Sequence, residues 1–449
     1  MNARAFAEHV CRTLRSKGHQ AFLVGGCVRD ILLGREPADY DVSTDATPTQ
    51  VEAIFPGSLT VGAKFGVVIV PEAGTDSAEV RRQQVEVATF RSDMGYSDGR
   101  HPDRVDFTKS PQDDVKRRDF TINGMLLDPE TTEVLDFVGG RDDLRAGLIR
   151  AIGDPETRFR EDKLRMVRAV RFAARFDYEI EPKTMQAIQK LAPEISQVSM
   201  ERLRDELTKI LTEGAARRGF ELLDQSGLLI FLLPEIAKMK GVEQPPRFHP
   251  EGDVWVHTLM MIAGLPAGSS PTLAWGVLLH DVGKPPTFAP PSGPNGRIRF
   301  DRHVEVGVKM AEEICRRFRF SNEDTEQILA LVENHMRFKD VPKMKPATLK
   351  RFVRLEKFDE HLELHRLDSL SSHGKLDNHD FARRFLEETP PEQVRPARLL
   401  TGDDLIALGL KPGPRFKAIL YSVEEAQLDG AIQTREDALS LAKKLAGKE

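Results

Sequence analysis

Two aspartates, Asp39 and Asp41, stand one residue apart in "LVGGCVRDILLGREPADYDVST", residues 23–44. Residues two apart on a strand face the same way, with α-carbons roughly 7 Å apart, so the spacing predicts a carboxylate pair. Such a pair repels itself until cations neutralise it. Two Mg2+ ions about 4 Å apart would do so, activating an attacking oxygen and stabilising a leaving pyrophosphate. Upstream, Gly25 and Gly26 separate an apolar run from a helix start, where bare backbone N–H groups can meet phosphate; Arg29 follows one turn later. Glu86 in "VEVATFR" is the candidate third acidic ligand, with Asp106 as its competitor. Alternation places Glu86 on the face of Ala88 and Phe90, so it reads equally as a residue at the edge of the core.

Further along, "KRRDFTING" (116–124) offers Arg117 or Arg118 to a triphosphate and Asp119 to a ribose hydroxyl. "EDKLRMVRAVRFAARF" (161–176) sets Arg165, Arg168, Arg171 and Arg175 along one helix side. Glu161 can pair with Arg165 across one turn, while the other three lack acids at that spacing. Asp162 and Arg165, three apart, place an acceptor beside a donor fork. Cytosine and adenine each present an amino donor beside a ring acceptor and fit that pair. Uracil and guanine would leave it unpaired, which discriminates against them.

These residues need elements to hold them. From Ala21 to about Gly140, short apolar runs ("AFLVG", "FGVVIV", "VEVATF") alternate with helix-like stretches, one opened by the capping box Thr47–Gln50. Beyond "DFVGG" (136–140) a 3.6-residue periodicity takes over. The fold class is α+β: an N-terminal mixed sheet with helices, then an all-helical remainder. Expected boundaries are 1–145 for the catalytic head, 146–240 for a helical neck, 241–380 for a third unit and 381–449 for a helical tail. "GVEQPPRFHPEGD" (241–253) reads as a linker, "KPPTFAPPSGPNG" (284–296) as a long loop, and "LTGDDLIALGLKPGPRFKAIL" as two short helices around a Pro-Gly turn that could grip a phosphate.

The 449 residues carry a net charge of −5, so any nucleic-acid partner must be held by a local patch. Residues 150–218 supply one, with 15 Lys/Arg against 12 Asp/Glu. No run reaches the ~18 apolar residues of a membrane span, and residues 1–20 read as a surface helix with Phe6, Val10 and Leu14 on one side, not as a signal peptide. Three dispersed cysteines suit a reducing cytoplasm. Nothing in the sequence sets the oligomeric state.

In order, "GGCVRDILLG…DYD", "VEVATFRSDMGYSDGRHP", "RRDFTING" and "EDKLRMVRAVRF" closely resemble the class II template-independent RNA nucleotidyltransferases, the tRNA CCA-adding enzymes and bacterial poly(A) polymerases. The resemblance covers about the first 220 residues. It implies that Asp39 and Asp41 hold the catalytic metals, that Asp162 and Arg165 template the incoming base, and that residues 92–103 form a loop that helps switch between CTP and ATP. "MERLRDELTKIL" (200–211) would support the neck without touching substrate, and Gly124 stands where the family suggests Ala.

His257, the doublet His280-Asp281 in "LLHDVGK" and Asp368 resemble the metal set of HD phosphohydrolases, with His303 and His335 placed as in binuclear members. Imidazoles with carboxylates suit a divalent transition metal such as Mn2+ or Ni2+, activating water against a phosphate ester. The expected function is addition of CMP and AMP from CTP and ATP to tRNA 3′ ends, with Gly25, Gly26, Arg29, Arg118, Asp119, Asp162, Arg165 and Arg168 at the nucleotide and Arg171 and Arg175 on the RNA. The alternatives are a poly(A) polymerase, an enzyme adding only CC or only A, a protein-modifying nucleotidyltransferase with an HD domain, or a retired scaffold that only binds RNA.

Overall fold

In the computed structural model the described residues are 2–61, 66–72, 83–95, 103–246, 249–291 and 296–447. They form two compact units, Met1–Ala237 and Lys238–Glu449. In the first, the strands are β1 (Ala21–Val24), β2 (Asp41–Thr44), β3 (Leu59–Thr60), β4 (Val67–Pro71), β5 (Gln84–Thr89), β6 (Arg91–Met94), β7 (Arg104–Phe107), β8 (Met125–Leu127), β9 (Val134–Asp136) and a short parallel pair, β10 (Leu148–Ile149) with β11 (Glu179–Ile180). Seven of them make one sheet in the order β3-β4-β5-β2-β1-β8-β9, while β6 and β7 pair separately. The sheet is mixed because β2 runs parallel to β5 and antiparallel to β1. The short apolar runs of the sequence supply β1, β4 and β5, and bury Leu23, Val68 and Val87 completely. Helix Ala3–Ser16 packs on β1 with Phe6, Val10 and Leu14 buried, the stripe its spacing predicts. Gln50 Oε1 accepts from the Thr47 N–H at 2.9 Å, closing the expected capping box.

The stretch 161–176 departs from the continuous helix expected of it. One helix, Pro155–Glu161, ends before Asp162, and a second, Leu164–Phe176, begins after Lys163. Asp162 itself is extended (φ −146°, ψ 104°), and its carboxylate accepts from the Leu164 N–H at 3.1 Å. Asp favours such a cap because its short side chain satisfies donors that a helix start leaves unpaired.

The second unit is helical around Trp275 and Phe318, both fully buried. Helices Val254–Ala263, Pro271–Leu279, His303–Arg317, Asn322–Asn334 and Phe358–Ser371 build it. The Pro/Gly loop carries a two-residue ladder, Phe288–Ala289 against Arg299–Phe300. Near the C-terminus the Pro-Gly turn is followed by a 15-residue helix, Pro414–Leu428, longer than expected, because Ile419 and Val423 reach a small core with Leu405, Ala438 and Ala442. Among the described residues no helix is long and apolar enough to cross a membrane.

Candidate functional sites

Strand register builds the first site. Val24 lies opposite Asp41 across β1 and β2, so the Gly25 turn leaves the sheet beside that carboxylate. Across β2 and β5, Asp41 faces Glu86. Glu86 is exposed between buried Val85 and Val87, so it belongs to the open face beside Asp41 and not to the edge of the core. Asp39 precedes β2 instead of lying within it. The turn feeding β2, not strand alternation, therefore brings the two aspartates together. Burial first, then Glu86 and to a lesser degree Asp39, push the Asp41 carboxyl up to about 6 against the pull of Arg118. The competitor Asp106 sits on the separate β6–β7 ladder, 2.8 Å from Arg104.

Gly25 adopts φ +79°, and a Cβ there would stand 3.4 Å from Arg118 Nη1, so the turn and the guanidinium share one space. Asp114 anchors that cation. It is fully buried, takes Arg117 Nη2 at 2.7 Å and Arg118 Nη2 at 3.1 Å, and accepts from Ser43 Oγ at 3.1 Å. Although burial opposes ionisation, the two arginines hold its carboxyl below the usual range. Sequence reading passed over Asp114, although its spacing to Arg117 and Arg118 is that of helical ion pairs. Arg29 is buried: it donates to Asn123 Oδ1 at 2.6 Å and Asp30 Oδ1 at 2.9 Å, and covers the Phe176 ring at 4.5 Å. It fixes the floor under Gly26, whose Cβ position lies 3.4 Å from Arg29 Nη2.

The remaining expected nucleotide residues are held in separate ion pairs. Asp119 accepts from Arg168 Nη2 at 2.6 Å and from Asn123 Nδ2 at 3.1 Å. Against its burial, Arg168 pulls its carboxyl down to about 2. The Arg165 N–H donates to the Asp162 carbonyl at 3.1 Å, but their side chains do not bond one another. Arg202, on helix Met200–Thr212, grips Asp162 with two nitrogens at 2.7 and 3.2 Å, while Arg165 Nη1 donates to Glu161 at 2.7 Å. The expected arginine stripe is charge-balanced by acids more distant in sequence. Arg171 is turned inward and bonds Glu206 at 2.6 Å, which contradicts its placement on an RNA-facing surface. Arg175, partly exposed, lies 3.6 Å from Glu213. Gly124 has a packing reason: a Cβ would stand 2.9 Å from both Ile152 Cδ1 and Val138 Cγ2. Of the expected switching loop 92–103, residues 96–102 lie outside the described residues.

The second site gathers six side chains from across the helical unit. His257 Nε2 lies 3.2 Å from Asp368 Oδ1, and His280 Nε2 lies 3.0 Å from Asp281 Oδ2. His303 and His335 each bring Nε2 to 3.8 Å from Asp281 Oδ1. Two ligand groups result, His257–His280–Asp368 and Asp281–His303–His335. Three of the rings are oriented alike: Nδ1 of His280, His303 and His335 lies 2.7–2.9 Å from the carbonyl three residues before it. That bond places the proton on Nδ1 and aims the Nε2 lone pair inward, as metal-ligating imidazoles require. The donor set thus fits one or two divalent transition metals.

Glu251, which sequence reading left inside a linker, completes the set, since Oε1 meets His257 Nδ1 at 2.7 Å and His249 Nδ1 at 2.8 Å. Burial alone would lower the His257 pKa, but Asp368 and Glu251 overcome it and hold the ring up at about 9. Lys284 Nζ donates to Asp281 at 2.7 Å. The site opens into a cavity of about 680 Å³.

Set against known proteins, residues 21–150 match the Poly A polymerase head domain, 177–240 the probable RNA and SrmB-binding site of polymerase A, and 256–371 the HD domain. The CCA-adding enzyme of Geobacillus stearothermophilus is 42% identical over 223 residues, an alignment spanning about half of each protein (50% and 53%). That of Levilactobacillus brevis is 31% identical over 447 residues, 97% of this chain and 96% of its own. Among solved structures, the Bacillus stearothermophilus CCA-adding enzyme in complex with CTP superposes with a TM-score of 0.72 at 26% identity, covering 100% of this chain and 99% of that one. The Thermotoga maritima CCA-adding enzyme complexed with tRNA shares the fold, with a TM-score of 0.57 at 20% identity over 99% and 95% of the two chains. With one such enzyme matched from end to end and the head, RNA-binding and HD segments all in place, the chain belongs to the CCA-adding enzymes, a family of nucleotidyltransferases.

Proposed function

We propose that this protein adds CMP and AMP, from CTP and ATP, to the 3′ end of tRNA in the cytoplasm. The observation that carries the reading is the cluster of Asp39, Asp41 and Glu86 beside the Gly25 turn and Arg118. Three hard oxygen donors, whose burial and mutual repulsion together raise the Asp41 pKa, suit Mg2+. When bound, Mg2+ supplies activation of the attacking hydroxyl and neutralisation of the leaving pyrophosphate.

The chain's own groups do the rest. Arg118, steadied by Asp114, faces the phosphates entering over the glycine turn. Asp162 and Arg165 meet the base, with Arg202 and Glu161 holding them in place between cycles. Asp119 and Arg168 join the head to the helix that carries Arg165. In this assignment residues 1–145 are the head, 146–240 the neck, 241–380 the HD domain and 381–449 a tail that contacts tRNA. His257, His280, Asp281 and Asp368, with His303 and His335, hold a divalent transition metal that equips the HD domain to hydrolyse phosphate esters.

The test offers each nucleotide separately to tRNA transcripts lacking three, two or one of their last residues, and sequences the products. Full CCA synthesis requires CMP on the first two transcripts and AMP on the third. Repeated AMP addition would indicate a poly(A) polymerase, and a product stopping at CC or requiring it would indicate a partial enzyme.

A further inference from the structure

Helix Phe358–Ser371 delivers Asp368 to the metal-ligating cluster, and two more of its side chains line the same cavity. His365 lies one turn before Asp368, and Ser369 directly follows it. Both are more than nine-tenths buried, His365 at 8% and Ser369 at 1% exposed. Among the described residues, neither ring nitrogen of His365 nor the hydroxyl of Ser369 has a hydrogen-bond partner. Neither residue belongs to the two ligand groups. Buried polar atoms are ordinarily paired, so three unpaired atoms in one wall point to what the cavity receives.

The placement of His365 is fixed. Its ring stacks on Phe338 with centroids 4.4 Å apart and planes 7° from parallel. Burial pushes its pKa down to about 4, so at neutral pH the ring offers one N–H donor and one acceptor nitrogen. The Ser369 hydroxyl also donates and accepts. Phosphate oxygens mostly accept, and for those the rim carries exposed Lys339 and Lys375. Two neutral groups that both donate and accept are instead matched to hydroxyls.

We propose that His365 and Ser369 form an alcohol-recognition subsite that binds hydroxyls on the carbons adjacent to the phosphate-bearing carbon of a sugar or polyol phosphate, with its phosphate beside Asp368. This rests on the phosphohydrolase reading of the HD domain. It makes the two residues determinants of specificity, since an ester lacking those hydroxyls leaves their polar atoms buried and unpaired.

The test compares two esters of one carbon skeleton, glycerol 2-phosphate and isopropyl phosphate, on the manganese-loaded full-length protein. Wild type is expected to favour glycerol 2-phosphate in kcat/KM by roughly a hundredfold. His365→Phe, which keeps the stack on Phe338, and Ser369→Ala should each erase most of that preference through KM. Turnover of isopropyl phosphate, and Mn2+ affinity measured by calorimetry, should stay at wild-type values in both variants. Hydrolysis of neither ester by wild type would overturn the phosphohydrolase reading and the subsite with it. Hydrolysis without a preference, or a preference surviving both substitutions, would overturn the subsite alone. Loss of Mn2+ affinity in both variants would show a structural role and overturn it as well.

Discussion

The cluster beside β2 and the cluster in the helical unit both crowd carboxylates together, yet they settle the repulsion differently. Around Asp41 the acids outnumber the cations: Asp39 and Glu86 both raise its pKa, and Arg118 alone opposes them. Around Asp281 the charge is balanced by Lys284 at 2.7 Å, and the ring nitrogens of His280, His303 and His335 stand within 4 Å. An unbalanced, partly open group is suited to a cation that arrives and leaves with each nucleotide triphosphate. A balanced, buried group is suited to a metal that stays.

Substitutions can break the comparison. The largest expected effect is a double dissociation. Asp41→Asn should lower CMP incorporation by roughly 10³-fold or more with tRNA affinity unchanged. His280→Ala should lower phosphate-ester hydrolysis by about 10²-fold with incorporation unchanged. Filter binding and single-turnover assays check the first, and release of inorganic phosphate the second; either variant disturbing both activities would end the separation.

Next comes the arginine stripe, which resembles a ligand surface in sequence but is balanced like the HD cluster in structure. Arg171→Ala leaves Glu206 buried with weaker partners, and should destabilise the fold by about 3 kcal/mol in urea denaturation. Its tRNA affinity should not change, whereas a loss of affinity without a loss of stability would restore the RNA-facing role.

The Asp119–Arg168 pair sharpens the comparison through pH. The folded pKa of Asp119, about 2, lies below its unfolded value near 3.9, so its contribution is complete at neutral pH and is lost as pH falls through 4 towards 2. Asp119→Asn should therefore cost about 2 kcal/mol at pH 7 and almost nothing at pH 2, read from paired denaturation curves. A penalty independent of pH would show that the ion pair is not its source. Smallest of all, Gly124→Ala should cost about 1 kcal/mol, because the methyl group must displace Ile152 and Val138; a more stable variant would show that those side chains move freely.

What the sequence revealed and what it hid follow one physical division. Local patterns were readable: the β1, β4 and β5 runs and the capping box at Thr47 each reflect forces acting within a few residues. Partners contributed by other elements were not. Arg202 reaches Asp162 from 40 residues away and Glu206 reaches Arg171 from 35, so spacing within one helix could not reveal them. The same holds for Glu251, which looked like linker because its role depends on the helix that follows it. The break at Asp162 was missed because apolar periodicity runs through it, while a single side-chain cap ends one helix and starts the next.

Under the proposed function, nucleotide transfer takes place at the acids beside β2. Crystals soaked with CTP and Mn2+ and measured at the manganese absorption edge test this directly. The expected result is anomalous density about 2.1 Å from oxygens of Asp39 and Asp41, with the triphosphate over the Gly25 turn. Nucleotide bound elsewhere, with both carboxylates free of metal, would contradict it.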